Sequence, residues 1–413
     1  MNNEKLIFLT QKVPSYLGRY LRIFKTSLKK KEVLMDPSFL GDVDHFKTTD
    51  PKYKRALFLF RPSAWLVALT QYPNIKLYNN SGFIYSVVKS LNLNGYVVDI
   101  IDPRDGVPTN KNYDLCIAHG GYCQKFLEKL EDHVTIFQYV SGLYWKSFIE
   151  ESNERYLRFN KKHEINQRIV HRRKMADISE GEEYLTHKAN KLFTIHCPRM
   201  IDAYGSYAHK FHFTGLGAYI DPLFNIDFNK KDYDRGLSSF LYVGGSGGNL
   251  QKGLDLLIEV FVKTPDLHLY IYCKVEEEIM SYSQKELNAP NIHYIYHWRY
   301  KPFHNRLKTL LKAVNFTVHA PINIGMGTAY MATLGVGMIP VGYVDVPDDG
   351  KHCAVLTDSW QVKDLVDCIC EASAKSPEWC AQASLGAVQL YKKHCDPKQV
   401  EHNMKKMFAE VGR

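Results

Sequence analysis

From Ala56 onward, short apolar runs alternate with amphipathic stretches. Ala56–Phe60 (ALFLF), Tyr96–Ile101 (YVVDII), Leu115–His119, Val134–Val140 and Lys191–Ile195 read as buried strands. Between the first two, Asn79–Gly82 supplies a helix start and Phe83–Leu91 the helix. A long helical segment is expected over 144–174. A polar stretch, 225–236 (NIDFNKKDYDRG), interrupts the series. It resumes with Ser239–Val243, Leu267–Cys273, Ile292–Tyr296, Phe316–His319 and Gly337–Val341, with helices at Gly253–Val262 and Arg306–Ala313. Strands separated by helices in this way predict parallel sheets covered on both faces. The chain therefore reads as α/β, with two Rossmann-like, doubly wound domains over 56–224 and 237–395. They would face a central cleft at their strand ends, where ligands bind in such sheets. Residues 396–413 read as a C-terminal helix placed to pack back on the first domain.

Residues 1–55 fit neither series and read as an N-terminal extension. Within them Leu17, Leu21, Phe24 and Leu28 fall at helical spacing, with Arg19, Arg22, Lys25, Lys29, Lys30 and Lys31 on the remaining face. A basic amphipathic helix of this kind can lie on anionic lipid. It can equally pack on the first domain with its basic face solvated, and both readings stay open.

Composition narrows the class. Of 413 residues, 45% are apolar and 23% charged, the balance of a folded globular chain rather than a disordered or fibrous one. Lys and Arg exceed Asp and Glu by 53 to 44, a net charge of +9 that suits phosphates, a nucleic acid or an acidic membrane face. The nine cysteines form no C-x-x-C pair and several sit inside apolar runs, which points to buried thiols in a reducing compartment. Neither a disulfide framework nor a metal site is expected. The N-terminus lacks the apolar stretch of a signal peptide, and 56–72 is too short and too interrupted to span a bilayer. A cytoplasmic location follows, with the inner face of a membrane as a candidate attachment.

Two segments carry candidate chemistry. In 240–255 (FLYVGGSGGNLQKGLD) a strand runs into a loop with Gly244, Gly245, Gly247 and Gly248 around Ser246, then Lys252-Gly253 opens a helix. Glycines let the backbone approach a ligand closely, and loop amides beside an ammonium suit a diphosphate. The spacing is neither G-x-G-x-x-G nor a Walker A loop, which disfavours a dinucleotide oxidoreductase and a P-loop NTPase. In 321–341 (PINIGMGTAYMATLGVGMIPV), Gly325, Met326, Gly327 and Thr328 lead into a small-residue helix whose first amides are open to a phosphate or a sugar hydroxyl.

Together these segments resemble the C-terminal half of GT-B-fold glycosyltransferases, specifically the family-4 group of nucleotide-sugar transferases. The family's strand–Gly–loop–Lys-Gly pattern matches 242–257, and its Gly-x-Gly helix start with a later Pro-Val matches 325–341. Between them, 291–298 (NIHYIYHW) resembles the turn that holds the nucleotide base, which implies base contacts for His297 and Trp298. The family's Glu-x7-Glu signature would fall on Ile324 and Ala332, and neither is acidic; its loop arginine is replaced by Gly245 and Ser246. Tyr330, Thr333 or a backbone group nearby are then the candidates to take over the ribose.

The resemblance implies a glycosyltransferase, of retaining stereochemistry, moving a sugar from a nucleotide-diphosphate donor to a hydroxyl of a polysaccharide or lipid-linked glycan, without cofactor or metal. Gly244, Gly245, Ser246, Gly247, Lys252, His297, Trp298 and Gly325–Thr328 would bind the donor. Ser81 would line the acceptor side, and His119, at a strand end before two glycines, would act as base or hydrogen-bond partner of the reacting hydroxyl. A histidine that merely packs there is the competing reading. Two alternatives stand beside this one: a catalytically silent GT-B module serving as a partner subunit, and a transferase acting on nucleic acid, prompted by Arg168, Arg172, Arg173 and Lys174.

Overall fold

A computed structural model describes residues 38–46, 54–62, 64, 65, 68, 80–165, 176–195, 197–215, 217, 227, 231–244, 248–295, 309–322 and 327–411. The first sheet contains β1 (Phe39–Val43), β2 (Lys54–Leu59), β3 (Tyr96–Ile101), β4 (Leu115–Ala118), β5 (Thr135–Tyr139), β6 (Lys191–Thr194) and β7 (Phe211–Phe213), in the order β1-β3-β2-β4-β5-β6-β7. The second contains β8 (Ser239–Val243), β9 (His268–Tyr272), β10 (Ile292–Tyr294), β11 (Phe316–His319), β12 (Ile339–Gly342) and β13 (Val355–Leu356), in the order β10-β9-β8-β11-β12-β13. Every pairing is parallel except β1 with β3.

The continuous apolar runs become strands covered on both faces, as parallel sheets require. All six residues of β3 and all four of β4 are buried. Asp99, inside β3, is a buried carboxylate that keeps partners: it accepts from Asp42 N–H at 2.7 Å and from the Tyr113 hydroxyl at 2.8 Å, and pairs with Lys111 at 3.0 Å. Those bonds anchor β1 to the sheet. Residues 1–55 read from the sequence as an extension that fits neither strand series. Phe39–Val43 instead forms the antiparallel edge strand of the first domain, too short and too polar in the middle to be read as one from periodicity. The basic helix expected over 17–31 lies outside the described residues.

The helices relevant to the site are α1 (Asn80–Asn92), α2 (Trp145–Lys162), α3 (Ala176–Lys188), α4 (Leu254–Lys263), α5 (Thr328–Gly335), α6 (Pro377–His394) and α7 (Pro397–Ala409). The start of α7 is set by Asp396, whose carboxylate accepts from Lys398 and Gln399 N–H, and by Pro397 at the first helical position. This helix leaves the second sheet and lies on α1 of the first. Lys89 meets Glu401 at 2.6 Å, Asn94 donates to Lys405 O at 3.0 Å, and Phe408 stacks 6.1 Å from Phe137. All nine cysteines are unbridged; seven are buried, Cys273 is half-buried and Cys370 exposed.

Candidate active site

In the second sheet the chain builds outward from β8 in one direction and from β11 in the other, so a crevice opens between their C-terminal ends. The turn entering α4 sits there. Gly253 caps α4 with φ +73°, and a Cβ at that position would lie 2.1 Å from Ala320 O. Only glycine fits both demands, which gives the Lys252-Gly253 pair its structural reason. Lys252 is thereby held at the mouth of the crevice. Burial pulls its ammonium below the usual range, while Cys273 and Glu276 beside it push it back up. His319, at the end of β11, is buried and kept neutral, at about 3, by that burial and by the Lys252 charge. Its ring meets Tyr330 edge-on at 4.4 Å, and its Nε2 has no partner among the described residues.

The loop amides are not all free for a ligand, as the glycine content had suggested. Gly248, Asn249 and Leu250 N–H all donate to the carboxylate of Glu276. Gly244 is tightly enclosed, since a Cβ there would come within 3.0 Å of Cys273 and Tyr242. Gly245, Ser246, Gly247, His297, Trp298, Ile324, Gly325 and Met326 lie outside the described residues. Gly327 is exposed and caps α5 without a side-chain bond, with open space where a Cβ would stand. Thr328 begins that helix. Tyr330 and Thr333, expected to take over the ribose, are buried at 3% and 6% exposure, and Thr333 spends its hydroxyl on Tyr330 O at 2.6 Å. They lie on the face of α5 that meets the core, whereas Ala332 is half-buried.

On the first domain, His119 follows β4 and donates to or accepts from Ser141 Oγ at 2.9 Å. It lines a pocket of about 100 Å³ together with Gln138, Ser141, Trp145, Ser179 and Glu182. Gln138 is 2% exposed and its Oε1 has no partner among the described residues, so the pocket offers a buried acceptor. One wall is α3, which passes so close that a Cβ on Gly181 would lie 1.7 Å from Gly121 O. Ser81 is in the first turn of α1, and its side chain lies outside the described residues.

A set of groups not singled out in the sequence joins the domains along α2. Arg155, 2% exposed, donates from NH1 to Ala320 O at 2.7 Å, meets Glu151 at 3.3 Å and lies 4.8 Å over the Trp360 ring. Arg158 and Lys162 reach Glu259 of α4 at 2.6 and 2.9 Å; against the upward push of burial they hold its carboxyl down at about 2. Arg199 pairs with Asp358 and lies 4.9 Å over Tyr343. Asp345 is buried under Met200 N–H and raised to about 6 by that burial.

These groups give the interface a pH dependence. Burial raises Glu151 to about 7, with Arg155 and Tyr343 opposing. A carboxyl raised on folding contributes stability that is complete below its unfolded value, near 4.5, and is lost as pH rises through 7. Asp345 acts in the same sense, through about 6. The expected result is that Glu151→Gln flattens the fall in melting temperature between pH 6 and 8 relative to the parent. Equal slopes in parent and variant would show that Glu151 ionises normally.

Among the described residues, no helix is long and apolar enough to cross a membrane, and no three His, Cys, Asp or Glu side chains converge as a metal would need. No protein-family model matches the sequence, and no curated protein does. Solved structures do resemble the fold. HepE of Anabaena, in complex with UDP and glucose, superposes with a TM-score of 0.50 at 9% identity, over 87% of this chain and 100% of that one. TarM of S. aureus gives 0.47 at 12% identity over 72% of this chain, which spans only 55% of TarM's length. The pneumococcal O-GlcNAc transferase GtfA gives 0.44 at 15% identity, over 73% of this chain and 58% of its own. The architecture is GT-B: two Rossmann-like domains facing each other across a cleft.

Proposed function

We propose that this chain is a glycosyltransferase that moves a sugar from a nucleotide-diphosphate donor to a hydroxyl of a glycan or lipid-linked acceptor. The observation that carries the reading is Lys252, fixed by Gly253 against Ala320 at the crevice between β8 and β11. The fold likeness to a protein crystallised with UDP and glucose supports it. In this reading Lys252 and the start of α5 at Gly327 and Thr328 stabilise the departing diphosphate as its negative charge develops. The pocket of His119 and Ser141 takes the acceptor side, with His119 hydrogen-bonded to the reacting hydroxyl. A front-face, retaining displacement fits a site whose signature positions hold Ile324 and Ala332 rather than carboxylates.

Lys252→Ala is expected to weaken donor binding by about 1.5–3 kcal/mol, the range for a hydrogen bond to a charged group. A thermal-shift screen of UDP-, GDP-, ADP- and CMP-sugars identifies the donor, because a ligand that binds the folded state raises its melting temperature. Calorimetric titration of parent and variant with that donor then measures the loss. Unchanged affinity would remove the glycine loop from the site. Binding without sugar transfer to any glycan or lipid fraction would make the chain a silent binding module instead.

A further inference from the structure

Three successive amides of the glycine loop converge on one side chain. Gly248 N–H donates to Glu276 Oε1 at 2.5 Å, and Asn249 and Leu250 N–H donate to Oε2 at 2.8 and 3.4 Å. Asn249 returns the contact, its Oδ1 accepting from Glu276 N–H at 2.9 Å, and it is fully buried. The left-handed φ of +70° at Gly248 helps turn neighbouring amides toward one point. Such a concavity carries positive potential and suits a phosphate or carboxylate oxygen. Here the occupant comes from the chain itself, on the connection after β9.

We propose that Glu276 is a built-in anion: its carboxylate closes the amide nest and supplies the counter-charge that holds Lys252 in place for an incoming diphosphate. The inference rests on the reading of this crevice as a nucleotide-diphosphate site. Lys252 follows the nest directly, its N–H bonded to Gly248 O and Asn249 O at 2.9 and 3.1 Å, so the nest and the Lys252 backbone belong to one hydrogen-bonded turn. Among the groups acting on that ammonium, Glu276 favours its charge, while His319 beside it is neutral. Burial lowers the pKa of this ammonium, and the Glu276 charge opposes that shift. The three amides are consequently structural. The phosphate contacts then fall to Lys252 and the start of α5.

The test needs no knowledge of the substrate. Glu276→Ala in the full chain is expected to lower the melting temperature by about 4–8 °C, the shift of a lost charge-assisted cluster in a domain of this size. Sodium formate should restore at least half of that loss relative to a matched chloride series, while the parent should not respond. Glu276→Gln preserves shape and covers the case in which the alanine variant fails to fold. It is expected to bind inorganic pyrophosphate roughly fivefold more weakly and to lose that binding at a lower pH than the parent, because Lys252 has lost its counter-charge. An unchanged melting temperature, a loss that formate leaves untouched, or a parental pH profile in Glu276→Gln would each overturn the proposal. Formate rescue in a chain that binds no nucleotide sugar would uphold the nest and discard the glycosyltransferase reading.

Discussion

Replacing Arg155 with methionine is expected to destabilise the joined domains by about 3–5 kcal/mol, the cost of stranding a buried charge. The guanidinium comes from α2 of the first domain, yet its partners Ala320 O, Tyr343 and Trp360 belong to the second. Methionine keeps much of the apolar stem but leaves Ala320 O without this donor and Glu151 without its cation. Glu151 limits the damage, because burial already lifts it to about 7 and it can protonate. The additional variant Glu151→Gln is therefore expected to recover about 1 kcal/mol or more of the loss, as neighbours in one network do not add. Urea unfolding of the two single variants and the double variant measures the coupling. Strict additivity would show that Arg155 acts by packing alone.

The second large effect is Gly181→Ala. Helix propensity favours alanine there by about 1 kcal/mol. Sterics oppose it: the new Cβ would sit 1.7 Å from Gly121 O and 2.7 Å from its carbonyl carbon, both backbone atoms that cannot swing aside. Either α3 or the turn after His119 must retreat by more than 1 Å, and overpacking of that kind costs about 3 kcal/mol or more. The net expectation is a loss of at least about 2 kcal/mol, with the pocket of His119, Ser179 and Glu182 distorted. Gly120→Ala serves as the comparison. Its φ of +80° and ψ of 176° suit only glycine, with nothing within 4 Å of a Cβ, so backbone strain alone should cost about 1–3 kcal/mol. Gly181→Ala at or above parental stability would show that α3 can move freely over this turn.

The strands were legible because nearly every one is a continuous apolar run, and Phe316–His319 falls where periodicity placed it. The Lys252-Gly253 pair was legible because a left-handed cap against a neighbouring carbonyl admits only glycine. Edge strand β1 was not, since its middle residues, Gly41 and Asp42, are exposed and break the pattern, and β7 and β13, of three and two residues, are too short to show a period. Nor were Arg155 and Glu276. Their roles depend on elements brought together from distant parts of the chain, and no local spacing connects Arg155 to Ala320 or Glu276 to Gly248. The helix start at Gly327 read correctly as a terminus. The burial of Tyr330 and Thr333, the side chains offered for the ribose, was not legible, because helical phase does not say which face of α5 the core takes. A Thr hydroxyl that bonds its own helix gives no sign of that in sequence.

The return of α7 onto α1 has a consequence for synthesis. Phe408 belongs to the same aromatic cluster as Phe137 and Phe193, and Asn403 donates to Thr214 O at 3.2 Å. The first domain, made before the second, thus lacks part of its own core until α7 is made. Its exposed α1 surface must wait, aggregation-prone, through translation of the whole second domain. Truncation shortly before residue 397 is consequently expected to destabilise the first domain, although the cut lies far from it in the chain.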